Sequence, residues 1–199
     1  MIYLWEFPEY FLNKHIAVYH HKYSVAWLSF RKGKKIDQKE ITEEPIFDLE
    51  VTRAEIQRFD NLPSNAGSVP LVNQKIIDLL LELAPEDVQF FDAEVRCKDG
   101  VLTNYKMLNV THTIRGIDHE KSVYTKMKQA DAILGFNYLT YQPGCMGSYQ
   151  LARDEEYKGN LLVTETIKQA FNKNKITGVR FVRPEDFYRP LRPEDFYDQ

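Results

Sequence analysis

Histidines, two cysteines and scattered carboxylates are the side chains of this 199-residue sequence that could move protons, attack a carbon or hold a metal. The densest grouping is His112, Asp118, His119 and Glu120, with Ser122 behind it, a set from which hydrolysis could draw a general acid and base. Its spacing argues against a site. A helical zinc pair needs imidazoles one turn apart with a Glu between them, whereas His119 follows His112 by seven positions and Gly116 interrupts any helix. Hydrogen-bonded or surface histidines are therefore expected. His20 and His21 are adjacent, and consecutive side chains of an extended segment point to opposite sides, so they cannot easily share an ion. Cys145 lies in Pro143-Gly144-Cys145-Met146-Gly147, a loop that could display a nucleophile. Thiolate chemistry also needs a positioned base and a group to orient it, which spacing does not supply. The glycines lack the register of a phosphate-binding loop. Asp118 reads first as a turn or cap residue holding backbone amides. No catalytic residue, metal or cofactor is expected.

The elements around these residues read as α+β. Ile2–Phe7 and the alternating Ser24–Phe30 look like strands, Tyr10–His21 reads equally as helix or strand, and Asp60–Pro70 is rich in loop formers. Asn73 is a candidate N-cap for a helix with Ile76, Leu80 and Leu83 on one face, Ile77 and Ala84 beside them, and Pro85 at its end. Val88–Cys97 and Val101–Val110 flank Asp99-Gly100, whose residues tolerate the positive φ of a tight hairpin turn. Further strands are expected at Ala132–Tyr141 and Tyr149–Arg153, separated by a Gly-Pro loop. Pro70–Phe91 and Leu161–Val182 align without a gap, with Leu71-Val72 on Leu162-Val163, Ile76 on Ile167, Val88 on Val179 and Phe90 on Phe181. Each reads as strand, helix and strand, the second helix carrying Thr164 as N-cap, Ile167, Ala170 and Phe171 inward, and Gly178 at the exit. Strands outnumber crossover helices, so a largely antiparallel sheet carrying two similar strand-helix-strand units is the expected architecture.

Composition bounds the rest. Residues 1–182 are long enough for a single α+β domain, with 43% hydrophobic residues in the whole chain to fill its core. The longest apolar run, Ile76–Ala84, is broken by Asp78 and Glu82, far short of a membrane span. Met1–Glu6 has no basic stretch and meets Pro8 and Glu9, so no secretory signal is read and a cytoplasmic location is expected. Cys97 and Cys145 sit in no CxxC array and read as reduced structural thiols. A net charge of −3 argues against a general nucleic-acid binder. Asp37–Asp60 carries eight acids against three bases and reads as a solvated face. The tail, 183–199, repeats Arg183-Pro-Glu-Asp-Phe-Tyr188 as Arg192-Pro-Glu-Asp-Phe-Tyr197 and could lie along its own domain or along a partner.

Leu71–Phe91, Tyr105–Ser122 and Leu162–Phe181, within residues 60–182, together resemble a bacterial family grouped, as number eleven, with the immunity proteins of polymorphic toxin systems. The pattern is carried by Leu108-Asn109, Asp118, Ser122 and Thr177-Gly178-Val179-Arg180-Phe181, positions that define a fold more than a reaction. The resemblance implies a protein that binds a cognate toxin domain and protects the cell that makes it. Such an inhibitor needs a scaffold and aromatic anchors over ~800 Å² per partner, with no chemistry of its own. Tyr141, Tyr149, Glu155, Glu156 and Tyr157 form the expected contact patch. The alternatives are a small hydrolase built on the His112–Glu120 and Cys145 region and a non-catalytic ligand-binding module.

Overall fold

The computed structural model describes residues 1–20, 26–66, 68–127 and 132–187. The chain opens with β1 (Ile2–Glu6), β2 (Val18–Tyr19), β3 (Ile46–Asp48), a single helical turn α1 (Arg53–Ile56) and β4 (Asn61–Leu62). It continues through β5 (Leu71–Asn73), α2 (Gln74–Leu83), β6 (Val88–Asp92), β7 (Glu94–Cys97), β8 (Gly100–Leu102), β9 (Tyr105–Val110) and β10 (Thr113–Ile114). The last part holds β11 (Val123–Lys126), β12 (Ile133–Tyr138), β13 (Leu151–Asp154), β14 (Leu161–Thr164), α3 (Glu165–Lys173) and β15 (Arg180–Val182).

The architecture is α+β, and most strand pairs are antiparallel; β3 with β7 and β10 with β13 are parallel. The strands form several sheets, so the helices do not sit on a single one. One sheet runs β4-β5-β9-β6 and another β10-β13-β14-β1-β15. In the first, β9 is inserted between β5 and β6 and pairs antiparallel with both; in the second, β1 does the same between β14 and β15. Each helix therefore carries the chain across one intervening strand. Beyond Val110 the chain passes through Thr111 and His112 into β10, which joins the second sheet, so the two sheets share one path.

Side-chain alternation assigns each face to a core. Tyr3, Trp5, Val163, Val72 and Leu108 pack with Ile76, Leu80, Ile167 and Phe171 of the helices, a core common to both sheets. Leu4 and Leu162, pointing the other way, pack with Phe136, Leu139 and Met146 under the β11–β12 hairpin. Leu71, Phe91, Tyr105 and Met107 face a third core with Phe30, Phe47 and Ile56.

Local chemistry sets the helix start and the hairpin. The Asn73 side-chain oxygen accepts from Lys75 N and Ile76 N, at 3.1 and 3.4 Å, and α2 follows with Ile76, Ile77 and Leu80 buried. Leu83 is only partly covered. Cys97 pairs with Gly100, whose φ of 141° closes the β7–β8 turn. At α3 the Thr164 hydroxyl bonds Gln150 Oε1 and caps nothing.

Several expected strands change. Trp27–Arg31 is a 3₁₀ turn, because burying Phe30 edge-on against Phe91, 5.3 Å between centroids, fixes this segment instead of its alternation; Ser24, Val25 and His21 lie outside the described residues. Val88–Cys97 breaks at Ala93, and Val101–Val110 breaks at Thr103-Asn104, so each run serves two sheets. The Asp60–Pro70 loop contains β4. Residues 183–187 of the first hexapeptide lie along their own chain: Pro184 is buried and Phe187 packs near Phe136 at 6.4 Å. Tyr188 and the second hexapeptide lie outside the described residues.

Candidate functional site

The motif residues hold the scaffold together. Asp60 Oδ2 accepts from Thr177 N at 2.8 Å, while Asp60 N donates to Thr177 Oγ1 at 3.0 Å. Its Oδ1 accepts from Asn73 Nδ2 at 2.9 Å, so one carboxylate ties the cap of α2 to the exit from α3. Asn61 Nδ2 donates to Gly178 O at 2.7 Å. Gly178, at φ 81°, has no room for a side chain, since a Cβ would strike the Asn61 carbonyl oxygen. Burial alone would raise the Asp60 carboxyl; hydrogen bonds from Thr177 and Asn73, with the Lys75 ammonium, hold it below the usual carboxylate value.

Asp118 acts likewise as a turn residue. Its Oδ1 accepts from Glu120 N at 3.2 Å and Lys121 N at 3.3 Å, and its Oδ2 from Lys121 Nζ at 2.9 Å. Led by the Lys121 hydrogen bond, these contacts hold its carboxyl low. Ser122 Oγ donates to Thr140 O and accepts from Thr140 N, both at 3.1 Å. Asn109, fully buried, donates to Lys34 O at 2.9 Å.

The histidines occupy separate neighbourhoods. His112 stacks on Tyr149 at 4.1 Å, with Nε2 3.5 Å from Asp87 Oδ1. His119 bridges two other residues, Nδ1 lying 2.7 Å from Tyr124 Oη and Nε2 2.8 Å from Glu156 Oε1. Cys145 packs against Gly116, and burial pushes its thiol up, aided by the Asp154 charge, which is opposite to what a nucleophile needs. Burial also raises the Cys97 thiol. Among the described residues no three His, Cys, Asp or Glu side chains are grouped to hold a metal.

Three adjoining concavities meet at Glu156. The largest, about 530 Å³, is lined by Arg115, His119, Tyr124 and Lys126, among others. A second, about 190 Å³, adds Ile133 and Glu155. The third, about 300 Å³, runs past Ile133 to Arg31, Ser68, Tyr157, Lys158 and Gly159. The loop after β13 is held in shape from inside: Asp154 Oδ1 accepts from Glu156 N at 2.8 Å and Tyr157 N at 3.1 Å, and Oδ2 accepts from Tyr141 Oη at 2.6 Å. Burial raises the Asp154 carboxyl, against the pull of these hydrogen bonds.

Of the five patch residues, Glu155, Glu156 and Tyr157 thus line one continuous concave face. Tyr141 turns inward, because its hydroxyl is committed to Asp154, and it supports the loop from below. Tyr149 is half-buried against His112. Sequence reasoning missed Asp60, Arg115, Tyr124 and Lys126; Asp60 was hidden in an acidic run, and the others adjoin the motif segment without a pattern of their own.

The Immunity protein family (Imm11) has a model that matches residues 11–186. The chain belongs to this family. The match reaches nearer the amino terminus than residues 60–182, on which the resemblance rested, and takes in β2, β3 and the first hexapeptide through Asp186. Membership in an immunity family implies a toxin-neutralising role and a protein partner. No curated protein matches the chain. Among the described residues, no helix is long and apolar enough to cross a membrane.

Proposed function

We propose that this immunity-family chain protects the cell that makes it by binding a cognate toxin domain in the cytoplasm, without turnover, through the concave face centred on Glu156. Family membership over residues 11–186 supports the role. The single observation that favours this face is the Asp154 loop: its internal hydrogen bonds fix Glu155, Glu156 and Tyr157 before any partner arrives, which lowers the ordering cost of association. Tyr138, 40% exposed, and Val123, 55% exposed, pair across β11 and β12 and offer apolar contact area nearby. Co-expression with the toxin domain encoded beside this gene tests the reading. Rescue of growth and co-purification are expected, and both should weaken in Tyr138→Ala. Rescue and complex formation absent with every neighbouring toxin candidate would defeat it.

One observation favours a second reading. Tyr124, His119 and Glu156 form a phenol-imidazole-carboxylate chain that opens onto the largest concavity, a geometry compatible with proton transfer. Cys145 and Asp118 play no part in it. Turnover of an ester or amide substrate that disappears in His119→Ala would favour the hydrolase; protection that persists in the same variant favours the inhibitor.

A further inference from the structure

Arg153 is the largest fully enclosed side chain among the described residues, with 0% exposure. Its Nη2 donates to Ser68 O at 3.0 Å, but Nε and Nη1 are buried and meet no acceptor among the described residues. Ser68 holds that carbonyl in place from a left-handed backbone, φ 65°, which a serine adopts at a cost. The charge acting on Arg153 is the like charge of Arg31; burial first, and Arg31 second, bring the guanidinium down to about 9, so it stays charged at neutral pH. Burying a cation without a counter-charge is expensive for the fold, and selection for stability alone would remove it.

Ser68 and Arg31 also line the third concavity. Arg153 therefore lies directly behind its wall. Among the described residues that line the concave face, Arg115 and Lys158 stand beside Glu155 and Glu156, with Arg31 and Lys126 at its margins, on a chain of net charge −3. Glu156 is already engaged by His119, with Arg115 Nε 3.9 Å away. A low-dielectric wall with an uncompensated charge behind it focuses positive potential into the hollow in front.

We propose that the partner presents an acidic segment to this face, and that Arg153 acts from behind Ser68 as an electrostatic positioning residue that draws the partner's carboxylates in. This rests on the reading of the Glu156 face as the toxin-binding one. A folded protein segment can set its carboxylates between Arg115 and Lys158, whose fork-shaped and point-charge donors suit them. Glu155 and Glu156, spaced along the same face, would repel a continuous phosphate backbone.

The experiment uses the full chain, the toxin domain encoded beside it in catalytically inactivated form, and poly-L-glutamate as a toxin-independent probe, with poly-L-lysine and a short oligonucleotide as controls. Arg153→Met is expected to keep or raise the thermal midpoint while slowing association with the toxin domain and weakening poly-L-glutamate binding, each about tenfold, with a shallower salt dependence. Lys158→Glu, on the exposed loop, should weaken both about as much and serves if Arg153→Met does not fold. A toxin domain bound equally well by wild type and both variants overturns the inference and leaves the immunity role standing. Poly-L-glutamate binding that depends on Arg153, without binding of any toxin domain, upholds the acidic ligand and overturns that role. Preference for the oligonucleotide over poly-L-glutamate overturns the acidic segment.

Discussion

Asp60 and Arg153 are both largely enclosed, and their surroundings treat them in opposite ways. Around Asp60 the chain supplies Thr177, Asn73 and Lys75, so that the buried carboxylate becomes the knot between two segments more than a hundred residues apart in sequence. Around Arg153 it supplies one carbonyl and a second arginine. The first corner has its counter-groups built in, as a structural device does; the second leaves donors unmatched, as a site awaiting something else does. A motif can record the first kind of corner because its partners are all in the chain.

Gly178→Ala tests the closed corner most severely. Positive φ and the clash with the Asn61 carbonyl act together, and a loss on the order of 4 kcal/mol is expected in chemical denaturation. Gly147→Ala is the control, since φ is 55° there but nothing stands within 4 Å; about 1 kcal/mol is expected. Equal losses would mean that the contact with Asn61 contributes nothing.

Asp60→Ala leaves Thr177 N and Asn73 Nδ2 without their acceptor, at a cost of about 2 kcal/mol in the unfolding free energy measured in urea. Arg153→Met should move the unfolding free energy the other way, by about 1 kcal/mol, since an unpaired charge gives way to apolar volume. A loss of stability in Arg153→Met would erase the contrast between the corners.

The smallest effect is in the acid limb. The folded Asp60 carboxyl lies below its unfolded value, so its contribution is complete above that value, about 3.9, and is lost as pH falls through the folded one. Asp154 is raised on folding, so its contribution is present at low pH and lost as pH rises through the folded value. Stability measured from pH 7 to pH 3 should flatten in Asp60→Asn and steepen in Asp154→Asn. Changes of the same sign in both variants would contradict these environments.

What could be read from the sequence followed from neighbours along the chain. Asn73 with its helix, and Asp99-Gly100 with its turn, need only local chemistry. The breaks at Ala93 and at Thr103-Asn104 could not be read, because an apolar strand gives no sign of which sheet each half will join. Asp60 with Thr177, Glu156 with His119 and Arg153 with Ser68 are pairings across the fold, separated by 117, 37 and 85 positions. Asp118 and Ser122 lie within reach of one another, and there the expectation of a turn residue met its structure directly.

The inserted strand β1 gives the chain an assembly order. Leu4 leaves the ribosome long before Leu162 and Val182, the residues on either side of it in the finished sheet. Until translation passes β15, the apolar Ile2–Glu6 segment has no slot to enter, and a nascent or prematurely ended chain carries it unpaired and prone to aggregate. A cell relying on this molecule gains nothing from a copy that stops before β15, because closure of the sheet waits for Arg180–Val182.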